Sequence, residues 1–130
     1  MLKEPRAGRV KTRLGRDIGM TKAAWWFRHQ TAQLIRRLNG DPRWKTYASI
    51  SPDQSVMSRC WPNSLERMPQ GGGNLGHRMA RVFHSIPAGP VLIIGGDIPG
   101  ITPALIESAF KALETTMRFS APPLTEVIGL

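Results

Sequence analysis

The chain is built from short apolar stretches separated by glycine- and proline-rich breaks, and most stretches keep one of two periods. Between Thr21 and about Asn39, the residues Ala24, Phe27, Ala32, Leu34, Ile35 and Leu38 form an imperfect helical stripe, with Thr21 placed to cap it and Asn39-Gly40 to stop it. Trp44 to Ile50 alternates weakly and predicts a strand, whereas Pro52 to Pro69 keeps neither period and reads as irregular. Helical spacing returns in Leu75, Met79, Val82, Phe83 and Ile86, behind Asn74 as candidate cap, and Pro87 to Pro90 ends it. Val91 to Ile94 is apolar without a break, as expected of a strand covered on both faces. Thr102-Pro103 opens a last helix reaching about Glu114, with Pro103 at its first position.

This order of loop, helix and strand predicts an α/β domain with a mostly parallel sheet. Ligands of such sheets bind beyond the carboxyl ends of the strands, so the Gly95-Gly96-Asp97-Ile98-Pro99-Gly100 turn after the apolar strand becomes a candidate site. A length of 130 residues accommodates one domain with one modest core.

Charge sharpens the picture. The formal net charge is +9, and Lys3, Arg6, Arg9, Lys11, Arg13 and Arg16 crowd the amino-terminal end, which points to a polyanionic partner. Charge alone also permits a small nucleic-acid-binding protein, but no recognised binding module accompanies it, so a nucleic-acid partner is not expected. The single cysteine, Cys60, allows neither an internal disulfide nor a cysteine zinc site and suits a reducing cytoplasm. No apolar run has the roughly 20 residues of a membrane span.

Three stretches carry candidate chemistry. In Gly8-Arg9-Val10-Lys11-Thr12-Arg13-Leu14, the glycine lets backbone approach a ligand, while Lys11 and Arg13 offer a point charge and a fork for phosphate oxygens; a solvated basic tail is the plainer alternative. Gln70 to Met79 is a glycine-rich loop entering a helix, able to enclose a nucleotide with Arg78 near its phosphates, or simply a flexible helix entry. Asp97 could present its carboxylate to a divalent ion bridging phosphates, or merely shape its turn. His29, His77 and His84 lack metal-ligand spacing and are expected at the surface, and the tryptophans are expected in packing.

Taken together, K-x-P-x-x-G-x-V-K-T-R-L at Lys3 to Leu14, Q-G-x-G-x-L-G-x-R-M at Gln70 to Met79 and G-x-D-x-P at Gly95 to Pro99 resemble the motifs of bacterial GT-A-type nucleotide-diphospho-sugar transferases. These are glycosyltransferase-like proteins, formerly a domain of unknown function, of the type associated with arsenosugar biosynthesis. The resemblance implies a Rossmann-like GT-A fold, a nucleotide-diphosphate sugar as donor and a divalent cation, Mg2+ or Mn2+, at Asp97. It further implies that Gly8, Lys11, Arg13, Gln70, Gly71, Gly73 and Arg78 bind the donor. Asn74 stands where the family pattern has Asp. Nucleotidyl transfer from a nucleoside triphosphate uses the same cations and remains open, as does a non-catalytic remnant.

The resemblance also sets expectations about the ends. Family members have a hydrophobic strand before the first motif, where this chain has only Met1-Leu2, and a D-G-G-Y segment after the last helix, where it has Thr116 to Leu130. Codons permitted for Thr116 onward, started at their third base, allow the series D-A-V-F-G-P-P-P-D-G-G-Y-W-L. Sequence therefore predicts one incomplete domain over 1–130, lacking most of its first strand and its carboxyl-terminal part, with 116–130 an out-of-frame tail. Weak or absent catalysis follows, because only part of the charge-neutralising set is present.

Overall fold

The computed structural model describes residues 2–86, 89–117 and 126–129. In chain order they form β1 (Leu2–Lys3), α1 (Thr12–Ile18), α2 (Met20–Leu38), β2 (Lys45–Ser51), a short 3-10 turn (Asp53–Met57), β3 (Glu66–Pro69), α3 (Leu75–Ser85), β4 (Val91–Ile94), α4 (Pro103–Met117) and β5 (Glu126–Gly129). Every strand pairing is parallel. The mixed α/β fold expected from the sequence is therefore present.

β2 organises the sheet. One of its edges carries β3, with Tyr47 to Ile50 opposite Glu66 to Pro69. The other edge is shared: β5 pairs with Lys45 to Ala48, β1 pairs with Ile50 and Ser51, and β4 lies beyond β5. Helices cover both faces. Leu34 and Leu38 of α2 pack with Trp44 and with Ile106 and Phe110 of α4, against Leu92 and Ile94. On the opposite face, Val82 and Ile86 pack on Tyr47, Met68, Val91 and Ile93. The period-two split of Val91 to Ile94 between these clusters is what a strand covered on both sides requires, although each of its four residues is only half-buried.

Local chemistry accounts for the boundaries. Asn74 caps α3, its Oδ1 accepting the His77 N–H at 2.9 Å. α2 begins at Met20 rather than behind Thr21, because Gly19, at φ 94°, breaks the chain between α1 and α2. α1 falls where sequence suggested a basic loop: Val10 is buried with Ala24 and Phe27, and the buried Gly15 lies tight against Met20, so packing on α2 supports a helix that propensity alone does not. β3 lies within the stretch read as irregular, since four residues ending in proline carry too little period to be seen. α4 runs beyond Glu114 to Met117.

Glu126 to Gly129, assigned to an out-of-frame tail, form a strand in register with both β2 and β4. Residues 118–125 and 130 of that tail, and Pro87 and Ala88 of the expected turn, lie outside the described residues.

Candidate functional site

The carboxyl ends of the parallel strands all open toward one edge of the sheet, and the three candidate stretches follow β1, β3 and β4 there. The loop after β1 bends through Gly8, at φ 75°, and Lys11, at φ 48°, a left-handed conformation unusual for a lysine. Lys11 ends the loop as the residue before α1, and its carbonyl accepts the Gly15 N–H at 2.8 Å. This geometry turns the Lys11 side chain across to β4, where its Nζ donates to the Asp97 carboxylate. Both side chains remain about one third exposed, at 32% and 35%.

Asp97 is held below the usual carboxylate range, chiefly by the hydrogen bond from Lys11, with burial opposing and the lysine charge adding. Its turn is anchored from beneath. Thr31, buried in α2, donates from Oγ1 to the Gly96 carbonyl at 3.4 Å, and Arg37 reaches the Ile101 carbonyl at 3.3 Å. Lys11 Nζ also lies 5.8 Å from the centre of the Trp26 ring.

A cavity of about 530 Å³ is lined by the cations Lys3, Arg6 and Arg9 and by Ser51, Gln54 and Ser58. Glu4 shapes its wall. The Glu4 carboxylate takes hydrogen bonds from Ser58 at 2.7 Å and Ser55 at 3.1 Å and an ion pair from Arg6 at 2.7 Å; these hold its pKa low, the Ser58 bond first, against burial. Lys11 and Arg13 instead border a separate open hollow with Leu14 and Trp26. Arg13 lies exposed in the first turn of α1.

The glycine-rich loop stands at the far edge. β3 and β4 are separated by β2 and the β5 position, so the loop is about 14 Å from the Asp97 strand at ordinary strand spacing. Gln70 is fully buried and donates from Nε2 to the Ser49 carbonyl at 2.8 Å. Arg81, which sequence reasoning passed over, holds the loop from below: its Nη1 donates to the carbonyls of Gln70 at 2.5 Å and Gly72 at 3.1 Å. A Cβ on Gly71 would lie 2.3 Å from that nitrogen, and Gly71 N–H donates to Asp53 at 2.9 Å. Arg78 Nε donates to the Gly73 carbonyl at 2.9 Å.

The structure thus brings Lys11, Asp97 and the Gly8 loop together and keeps Gln70, Gly71, Gly73 and Arg78 at the same end of the sheet but apart from them. Thr31 and Arg81 had no sequence signal, Thr31 being a single polar residue on the apolar stripe of α2 and Arg81 one of several polar residues on the exposed side of α3. His29 and His84 bond carbonyls one helical turn back on their own helices, at 2.9 and 2.6 Å. Among the described residues no group of three His, Cys, Asp or Glu is placed to hold a metal ion. Asp97 supplies one anionic carboxylate, which fits a Mg2+ ion only where diphosphate oxygens and waters complete the shell.

Residues 34–129 match a protein family described as "Uncharacterized protein conserved in bacteria" (DUF2064). A solved structure from Desulfovibrio desulfuricans G20, named a "putative nucleotide-diphospho-sugar transferase", is similar over 87% of this chain, with a TM-score of 0.71 and 26% identity. The chain covers 52% of that protein, about half its length. No curated protein matches the chain significantly. Among the described residues, no helix is long and apolar enough to cross a membrane.

Proposed function

The chain belongs to the DUF2064 family and has a fold similar to that of a nucleotide-diphospho-sugar transferase, and from this premise we propose that it binds a nucleoside-diphosphate sugar as a glycosyltransferase-type donor. The observation that carries the proposal is the contact between Lys11 and Asp97, which joins a cationic loop to a strand-end carboxylate.

In this reading, Lys11 exchanges partners. Without ligand its ammonium neutralises Asp97; when a diphosphate enters, the ammonium turns to the phosphate oxygens and frees the carboxylate. Arg13 adds a second cation, and Gly8 lets the backbone come close. Asp97 would hold a divalent ion, Mg2+ or Mn2+, which would supply charge neutralisation for the departing nucleoside diphosphate. The glycine-rich loop, Gln70 to Gly73 with Arg78, closes on the nucleotide from the far edge, held in shape by Arg81.

Calorimetric titration of the full chain with UDP and GDP, each with Mg2+, tests the reading. Saturable binding that weakens at least about tenfold in Lys11→Met supports it. Absence of nucleotide binding, with steeply salt-dependent binding to DNA or RNA instead, overturns it. Offering the chain radiolabelled UDP-sugars, or nucleoside triphosphates with sugar phosphates, separates glycosyl from nucleotidyl transfer.

A further inference from the structure

The first loop divides its cations between two hollows. Val10 is its anchor: the side chain is buried with Ala24 and Phe27 of α2 and fixes the chain between Arg9 and Lys11. Beyond that anchor, Lys11 and Arg13 border the hollow beside Trp26. Ahead of it, Lys3, Arg6 and Arg9 line the cavity of about 530 Å³, whose remaining lining comes from the end of β2 and the 3-10 turn after it. The two linings share no residue.

The cavity is built, not a gap beside a loose tail. Arg6 N–H donates to the Glu4 carbonyl at 2.8 Å and Arg9 N–H to the Arg6 carbonyl at 3.1 Å, so the loop folds into successive tight turns. The Glu4 carboxylate, bonded to Ser55 and Ser58, clips this loop to the 3-10 turn and its end, and it offsets the charge of Arg6. Lys3 and Arg9 have no such partner: among the described residues neither makes an ion pair. Like charges repel, so two uncompensated cations facing one cavity are stabilised by an anion between them.

Charge and lining define that anion. Three cations against one carboxylate leave an excess of two positive charges, which matches a phosphate monoester, about −1.5 to −2 near pH 7. Arginine forks suit phosphate oxygens, and Ser51 and Gln54 offer uncharged donors and acceptors to hydroxyl groups. The volume lies within the roughly 300–1,000 Å³ of small-molecule sites. We propose that this cavity is a second anion site, distinct from the Lys11–Asp97 contact, which binds the phosphate monoester of a small hydroxylated molecule. Lys3, Arg6 and Arg9 take the phosphate, and Ser51 and Gln54 take the hydroxyls. Its use as the pocket of a second substrate rests on the donor reading of the Lys11 site; the binding itself does not.

Calorimetric titration of the full chain with glucose 6-phosphate, without nucleotide, tests it. Saturable binding is expected, with affinity falling at least about tenfold in Arg9→Gln and in Lys3→Gln. Both side chains are exposed, so neither variant threatens the fold. Lys11→Met, in the other hollow, and Arg36→Gln, exposed on α2, should each bind the ester within about twofold of wild type. Inorganic phosphate should bind more weakly than the ester, and glucose not at all. No saturable binding of the ester overturns the proposal. So does an equal loss in Lys11→Met, which would give the anion to the Asp97 side, or in Arg36→Gln, which would reduce the effect to net charge. Inorganic phosphate binding as tightly as the ester overturns the hydroxyl contacts assigned to Ser51 and Gln54. UDP and GDP titrations read the donor site separately. Their failure, with binding of the ester intact, overturns the donor reading alone, and the converse overturns the second site alone.

Discussion

Lys11 and Asp97, from opposite halves of the sequence, meet as an ion pair at the mouth of the sheet. The left-handed backbone at Lys11 aims the ammonium, and the Thr31 hydroxyl under Gly96 holds the turn that presents the carboxylate. Neither depends on sequence proximity, so the pair reports directly on whether β1, α2 and β4 are assembled.

Its pH dependence follows from the depressed Asp97 pKa. The group ionises more readily folded than in the unfolded chain, near 3.8, so its contribution is complete above that value and is lost as pH falls through the lower folded value. Exposure limits the pair to about 1 kcal/mol. Denaturant melts of wild type and Asp97→Asn should differ by that small, constant amount at neutral pH and converge below about pH 4. A gap that widens on acidification would contradict the assignment.

Gln70 offers a larger effect. Its amide satisfies the Ser49 carbonyl within a fully buried setting, so Gln70→Ala leaves that carbonyl orphaned and should cost about 1–3 kcal/mol in urea melts. Gln70→Glu should cost more, because it replaces the donor with an acceptor facing another acceptor and brings a charge into the core.

How far the sequence carried these arguments depended on how much chain each feature occupied. α2, α3, β2, β4 and α4 were legible because their apolar period persists over several residues or is framed by a cap, a proline or a glycine. α1 and β3 were not, being short elements stabilised by contacts with α2 and β2 rather than by their own pattern. β5 was not legible as a strand because nothing local states that four residues will pair with two distant strands. In the site, Gly8, Lys11 and Asp97 stood out through glycine, charge and strand-end position. Thr31 and Arg81 act by touching backbone carbonyls, the one 65 residues away and the other 9 and 11 residues back in the loop before its helix, which no spacing rule encodes.

The glycine-rich loop supplies a steric prediction. Gly71 combines a φ of 70° with an Arg81 guanidinium 2.3 Å from any added Cβ, so Gly71→Ala is strained twice. It should destabilise by about 1–2 kcal/mol. Adding Arg81→Ala should relieve the clash but not the dihedral strain, and it leaves the Gln70 and Gly72 carbonyls without their donor. The double variant should therefore recover little, and full recovery would show that the guanidinium was not holding the loop.

Thr31→Val separates the scaffold from the site. Valine nearly matches threonine in volume but lacks the hydroxyl that donates to Gly96, and the bond is long at 3.4 Å, so the stability loss should be no more than about 1 kcal/mol. The Gly96 carbonyl, left without that donor, frees the turn carrying Asp97 while the helix beneath stays packed through Leu34, Ile35 and Leu38. Melting should shift by a few degrees, about 4–8 °C at most for a domain of this size. If the chain binds a nucleoside diphosphate as proposed, Mg2+-dependent affinity for UDP or GDP should fall more than that small change in stability implies, while metal-free affinity, assigned in that proposal to Lys11 and Arg13, should stay near wild type. Equal losses with and without Mg2+ would place the effect of Thr31 on the whole sheet instead of on the Asp97 turn.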